Sequence, residues 1–423
     1  MTVTEHDSAS VPKSHEHFGF LGGVRVLDFA DASGRYVSRL LADLGAEVIR
    51  VIPPSDDLGG PPPYATTAHG EVSLFDRFVA INSHAIQADI KVAAGRELLE
   101  RLFNVSDLLI DTPDEHGVTA HGYSTDQLTT IAPQMNRLSV RAFGTGGSKS
   151  NIASDDLTVL ASSGLLSLGG YPDTGPVEVG GLQSYLGRSI YGAVGALLVL
   201  LQGRKDGRGR HVEVAAQEVM AGALEDTIAE YDFNGHVRSR MGGVPRGAGT
   251  GTFTCADGYV AMVAGRLGTA KAWVSLVAWL NEVGATGAEV LTEPEWSEYN
   301  FRAGPEATAV FTTIFENFAS AWTKAELYHE GQKRLIPIAP VNSARDVLNN
   351  VQLEDRGFFH QIHDPELDAT LTVPGRPYRE AAINDLPFVL SPVEAESSVA
   401  ALVEALGLSD DDLATLRRER VIQ

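Results

Sequence analysis

The sequence predicts an α/β protein, with a doubly wound parallel sheet in a large domain and a smaller α+β domain set into the chain. Two observations carry this. Over the first half, short apolar runs alternate with amphipathic segments at helical spacing, the pattern of βαβ units. Beyond about Met220 that alternation gives way to two β-rich runs followed by helices, which marks the second domain.

Gly23–Pro54, GVRVLDFADASGRYVSRLLADLGAEVIRVIPP, is the first unit. Val24–Phe29 is a short, mostly apolar run, the kind buried in a parallel sheet. Ser33–Gly34 breaks the chain before a helix whose face carries Val37, Leu40, Leu41 and Leu44. Gly45 ends that helix, and Glu47–Ile52 is a second strand stopped by Pro53–Pro54. The turn ADASGR lacks G-x-G-x-x-G spacing, so no dinucleotide site is expected. Asp56–Gly70, rich in Gly, Pro and Asp, is expected to be loop. Ala93–Val105 has helical spacing through Leu98, Leu99, Leu102 and Phe103, and a strand follows at Asp107–Ile110. Asp126–Ile131 is a short helix and Arg137–Ala142 a strand that runs into the loop FGTGGSKSNIAS. A helix near Leu157–Ser167, a glycine-rich turn, the long helix Tyr185–Leu201, a loop at Gly203–Gly209 and a strand at His211–Val214 complete the alternation.

Gly249–Gly265 holds two β-rich runs about an Ala256-Asp257-Gly258 turn and reads as a hairpin. Amphipathic helices follow at Thr269–Leu280 and Ala307–Ala321. Pro337–Ala344 and a helix at Ala344–Asn349 return to the first style, and amphipathic Val399–Arg418 is expected to pack back on the large domain. The organisation predicted is a disordered arm at 1–18, the first part of the large domain at 19–224, the small domain at 225–330 and a return segment at 331–423.

Composition removes several function classes. A net charge of −22 argues against nucleic acid as a partner and repels an anionic ligand unless basic groups gather locally. No run approaches the ~20 apolar residues that span a bilayer. The most apolar stretch, Ala193–Leu201, lies between Arg188 and Arg204 and reads as a buried helix, so no membrane partner is expected. The N-terminus lacks the apolar core of a secretory signal, and the cytoplasm is the expected compartment. The single cysteine, Cys255, excludes an intrachain disulfide and a cysteine-only metal site. His84, His116, His121 and His211 show no metal-ligand spacing, and no metal is expected.

Five segments, taken together, point to a family. The opening unit is similar to G-x-R-V-L-D…L-L-A-D-L-G-A-E-V-I-K-V. Leu138–Asp156 is similar to S-x-x-G-[FW]-G-x-x-G-P…G-[YH]-D, and Asp206–Val214 to T-G-R-G-Q-x-V-D-V. Arg238–Met262, with its Cys-Ala-Asp-Gly-Tyr turn, and Leu353–Pro377 resemble the small-domain signature and the C-terminal portion. In this order they resemble the family III CoA-transferases, which include formyl-CoA transferase, carnitine CoA-transferase and α-methylacyl-CoA racemase. The likeness runs from about residue 20 to 423.

The resemblance implies a Rossmann-like large domain built from both chain ends, a small middle domain, and two subunits interlocked like links of a chain. Active sites would lie between the large domain of one subunit and the small domain of the other. The implied reaction moves coenzyme A between carboxylates, with CoA and acyl-CoA as substrates and no permanently bound cofactor. An aspartate attacks the thioester, giving a mixed anhydride and CoA thiolate. The thiolate then forms an aspartyl-CoA thioester, which the acceptor acid attacks.

The chain departs from this pattern at the nucleophile. Counting back from Gly195 places that position at Tyr185, and counting from Arg204 places it at Leu186. The nearest carboxylate, Glu178, precedes the Gly180–Gly181 turn. The racemases' histidine position is Asp155, so racemisation loses both of its acid/base groups. The family's N-x-x-K-R-S…D-L-K segment, which helps hold CoA, reads AINSHAIQADIK here, with Ser83–His84 replacing the Lys-Arg pair. Asp114-Glu115-His116 stands where many relatives show Arg-Pro-Gly. The implied CoA contacts are Arg50, Lys91 and the backbone about Phe143 and Gly144. Asp156 and Tyr185 are the implied catalytic candidates, weighed against a helix cap for one of the Asp155–Asp156 pair and a packing tyrosine at a helix start. Three readings stay open. The chain is a subunit of a heteromeric CoA-transferase whose paralogous partner carries the aspartate, or a homodimeric enzyme with altered acyl-CoA chemistry using Asp156 or Tyr185, or a non-enzymatic CoA-binding or scaffold protein.

Overall fold

The computed structural model describes residues 19–54, 60–67, 70–113, 117–266, 268–390 and 395–422; the N-terminal arm and Asp114–His116 lie outside them. The chain forms two compact units. One holds the chain up to Leu166, Val179–Gly235 and Gly357–Gln423, and the other holds Ser167–Glu178 and His236–Arg356.

The first unit is a mixed α/β structure about a parallel sheet. Its strands before the second unit are β1 (Arg25–Phe29), β2 (Glu47–Ile52), β3 (Tyr64–Thr67), β4 (Gly70–Ser73), β5 (Ser83–Gln87), β6 (Leu108–Asp111), β7 (Asn136–Arg141) and β8 (His211–Ala215). Six of them form one sheet in the order β5-β2-β1-β6-β7-β8, and every pair is parallel. Numbered along the chain, that is the 3-2-1-4-5-6 order of a doubly wound fold, reversing direction between β1 and β6.

Alternation along the strands feeds two cores. Leu27, Ile49, Ile86 and Leu109 pack with Leu98, Leu99 and Phe103 of the helix Ala93–Val105, and with Leu402 and Ala405 of the helix Glu396–Leu406. Val26, Val48, Ile110, Leu138 and Val140 pack on the opposite face with Val37 and Leu41 of the helix Tyr36–Ala42, and with Ala193, Ala196 and Val199 of the helix Gln183–Asp206.

Several elements differ from expectation. Tyr64–Thr67, within the predicted loop, pairs with β4 as a hairpin. The helix expected at Leu157–Ser167 spans only Asp156–Ser162 and is followed by a 3-10 turn at Leu165–Leu168. The long helix begins at Gln183 and runs through Gly203 to Asp206, stopping at left-handed Gly207 (φ 68°), so the predicted loop is half helix. A Cβ on Gly203 would meet the Asn136 amide at 2.9 Å, so glycine lets the helix pass close to β7 there. This helix is also long and apolar enough to cross a membrane by length and composition, where no such run was expected; half of its most apolar window is buried in the core. The last amphipathic segment is two helices, Glu396–Leu406 and Asp410–Arg418, parted by left-handed Gly407 (φ 61°).

In the second unit β9 (Thr250–Cys255), β10 (Gly258–Val263) and β11 (Ile338–Pro340) form an antiparallel sheet in the order β11-β10-β9. The expected hairpin is present. Ile338, however, pairs with Met262 and is buried, so 338–340 completes the small sheet instead of returning to the first style. Trp273, Trp279, Phe311 and Phe315, from the helices Ala270–Glu282 and Pro305–Ala319, fill the core. The Arg240 guanidinium donates to the carbonyls of Ser167, Tyr171 and Thr174, which fastens segment 167–178 to this unit. The chain then returns to the first unit as the hairpin β12 (Phe359–Asp364) and β13 (Ala369–Pro374).

Candidate functional site

The sheet's carboxyl edge, at the β1/β6 reversal, is where an open α/β sheet leaves a crevice for ligands. The loop after β1 builds one wall. The Asp31 amide donates to Thr112 Oγ1 at 2.8 Å, tying this loop to the one after β6. The Ser33 amide and hydroxyl both donate to Asp31 Oδ1, at 2.8 and 2.5 Å. Gly34 allows the close approach, since a Cβ there would lie 2.7 Å from Thr112 Cγ2. Arg35 pairs with Asp76 at 2.6 Å.

Asp28, 1% exposed, lies in register with Arg50 on the neighbouring strand. Burial raises its pKa above the ordinary carboxylate value, against the pull of Arg50 and Arg35. Asp28 and Arg50 therefore stand side by side on neighbouring strands.

The other wall comes from the loop after β7 and the start of the long helix. Asp155 is the N-cap of the helix Asp156–Ser162: it accepts the Thr158 amide at 2.8 Å, and Thr158 Oγ1 accepts the Asp155 amide at 2.9 Å, completing a capping box. These hydrogen bonds hold the Asp155 carboxyl below its ordinary value. Asp156, 4% exposed, points elsewhere. Its Oδ1 accepts the Ser184 amide at 2.7 Å and the Ser184 hydroxyl at 2.6 Å. Tyr185 follows in the first turn of the helix Gln183–Asp206, and the buried Arg188 sets its guanidinium over the Tyr185 ring, 4.5 Å from the centroid. Burial pushes the phenol above its ordinary value; Arg188 pulls it down, and Asp31, Asp156 and Asp155 push it further up.

The structure thus groups Asp155, Asp156, Tyr185 and Arg188 with the β1 loop. The expected CoA contacts stand around the same edge but apart from one another. Arg50 is on β2, exposed Lys91 follows β5, and Phe143–Gly144 follows β7, with Lys149 Nζ 5.5 Å from the Phe143 ring centroid. β5 and β7 lie four steps apart in the sheet, about 19 Å at about 4.8 Å per step. Gly144, at φ 74°, turns the chain so that the Thr145 amide reaches Glu213 Oε1 at 2.9 Å.

Sequence reasoning missed Asp31, Ser184 and Arg188. Arg188 carried a signal, because a charged residue at the start of an otherwise apolar helix needs a local reason to be buried. Ser184 carried none, since its partner lies 28 residues earlier. Among the described residues no group of three or more His, Cys, Asp and Glu side chains is placed to hold a metal.

Comparison with known proteins bears on this geometry. The family model of CoA-transferase family III matches residues 21–386. Succinyl-CoA:(R)-benzylsuccinate CoA-transferase subunit BbsE of Thauera aromatica is 32% identical over 84% of this chain and 86% of its own. Succinyl-CoA–L-malate CoA-transferase alpha subunit of Chloroflexus aurantiacus is 25% identical over 98% of this chain and 96% of its own. The crystal structure of a CAIB/BAIF family protein from Brucella suis superposes with a TM-score of 0.77 at 25% identity, covering 92% of this chain and all of that one.

Proposed function

The chain belongs to CoA-transferase family III, and from that premise we propose that it is one subunit of a heteromeric CoA-transferase whose paralogous partner supplies the nucleophilic aspartate. Its substrates are an acyl-CoA and a carboxylic acid. Tyr185 carries the reading. It occupies the first turn of the site helix, where the family resemblance implies a carboxylate, and its phenol is pushed up by burial and so stays protonated at neutral pH. A protonated phenol without an adjacent general base is a poor attacker of a thioester. Two of the relatives are, by name, subunits of succinyl-CoA-dependent transferases, which supports both a two-chain assembly and succinyl-CoA as the donor. We place CoA along the carboxyl edge, with Arg50, Lys91 and the backbone at Phe143 and Gly144 as its contacts, and the enzyme in the cytoplasm.

The test compares the chain purified alone with the chain co-expressed with a paralogue that has an aspartate at the position of Tyr185. Each is incubated with succinyl-CoA and a panel of acceptor acids. Background exchange by the chain alone, with turnover of about 1 s⁻¹ or more by the pair, is the expected result. Comparable turnover by the chain alone would move the reading to a homodimer using Asp156 or Tyr185. No turnover and no CoA binding by either preparation would leave a scaffold.

A further inference from the structure

The helix that carries Tyr185 and Arg188 begins without a cap of its own. Leu182, at the cap position, is left-handed (φ 52°), and its side chain offers no acceptor. A helix start presents amide donors with no partner inside the helix, together with the positive end of the helix dipole. An ordinary N-cap side chain answers both by accepting the amide of the second or third helical residue. Ser184 is the second residue here, and the acceptor of its amide is Asp156 Oδ1, reaching in from another helix. The Ser184 hydroxyl donates to the same oxygen. Asp155, next in sequence, is already spent on its own helix. Two adjacent aspartates therefore terminate two different helices.

We infer that Asp156 is a positioning residue, the N-cap supplied from outside for the helix Gln183–Asp206, which fixes Tyr185 and Arg188 at the carboxyl edge of the sheet. The surroundings of the carboxylate agree with this role. It is buried, its Oδ1 accepts two hydrogen bonds, and its Oδ2 makes none among the described residues. The left-handed Leu182 makes the anchor necessary, because the Gly180–Gly181 turn ahead of it offers no side chain to take its place. Only the catalytic consequence of this placement rests on reading the edge as an acyl-CoA site.

The cap is tested on the full chain with two substitutions. Asp156→Asn keeps an oxygen of the same shape to accept the Ser184 bonds, whereas Asp156→Ala removes it. Hydrogen–deuterium exchange should show the amides of 183–188 opening about ten-fold faster in Asp156→Ala and staying within about three-fold of the parent in Asp156→Asn. The ultraviolet titration midpoint of Tyr185, isolated by subtracting Tyr185→Phe, should fall only slightly in the Asn variant, which loses the Asp156 charge but keeps the burial, and fall further toward the ordinary phenol value in the Ala variant. Unchanged exchange in Asp156→Ala, or equal loss in both variants, overturns the assignment. If Asp156→Ala does not fold, Ser184→Ala, which keeps the amide bond and loses the hydroxyl bond, should open the same amides about three-fold faster, and no change there overturns it equally. Neither readout uses acyl-CoA, so failure of the cap leaves the transferase reading standing, and failure of that reading leaves the cap.

Discussion

At the scale of single residues, Asp155 and Asp156 show how far local chemistry fixes a role. An aspartate ahead of an apolar helix is a cap by propensity, and Asp155 is one. Asp155→Ala should lower stability by about 1 kcal/mol at neutral pH, read from chemical denaturation. Its folded-state pKa is depressed by the Thr158 bonds, so the contribution is complete above the ordinary value of 3.8 and is lost as pH falls through the lowered folded value. The gap between parent and variant should therefore stay constant from pH 7 to 5 and close in stronger acid. A gap that widens toward low pH would contradict the cap. Asp156 obeys the same physics, but its target is invisible in sequence. No spacing rule connects it to Ser184, and only the folded sheet brings the two together. Tyr185 is the reverse case: its place at a helix start was legible, while the Arg188 guanidinium over its ring needed a structure.

At the scale of elements, legibility followed apolar content. The strands Arg25–Phe29 and Glu47–Ile52 and the helix Ala93–Val105 stand near where their periodicity put them, because each buries a continuous apolar face. The strand β5, SHAIQ, was not legible. Ser83, His84 and Gln87 dilute its pattern, and it is defined instead by pairing with β2 and by Ile86 beneath the C-terminal helices. The long helix was legible in type but not in length, since glycine normally argues for a stop, yet Gly192 and Gly203 serve close packing. A Cβ on Gly192 would stand 2.8 Å from Val37 Cγ2. Overpacking there costs about 1–3 kcal/mol, while alanine gains about 1 kcal/mol in helix propensity. Gly192→Ala should accordingly lose about 1 kcal/mol net, and Gly192→Leu about 3 kcal/mol or more, both read from thermal or urea unfolding. A Gly192→Leu protein as stable as the parent would mean that the helix does not lie against Val37 as described.

At the scale of the whole molecule, one surface asks for a partner. Ile190, Val194, Leu198 and Leu201 recur at helical spacing along the outer side of the helix Gln183–Asp206, with Tyr191 beside them, and all are more than half exposed. Ile228, Tyr231 and Phe233 are exposed in the same way on the helix Glu225–Asn234. Apolar side chains set singly on a surface need no explanation, but a stripe along one helix face marks an interaction surface. It begins in the same helix turns as Tyr185 and Arg188, so a subunit seated on it would lie close to the site, as the two-chain reading requires. A high net negative charge opposes self-association at low salt, so burial of this stripe has to supply the binding energy. Light scattering at micromolar concentration should find a particle of at least two chains. Charging the stripe with Ile190→Glu and Leu198→Glu together should shift it toward single chains, because two carboxylates cannot be desolvated in an apolar interface without partners. A stable, folded monomer both alone and when co-expressed with the paralogous partner would show that the stripe is not a subunit interface, and the reading of the chain as half of a two-chain site would fall with it.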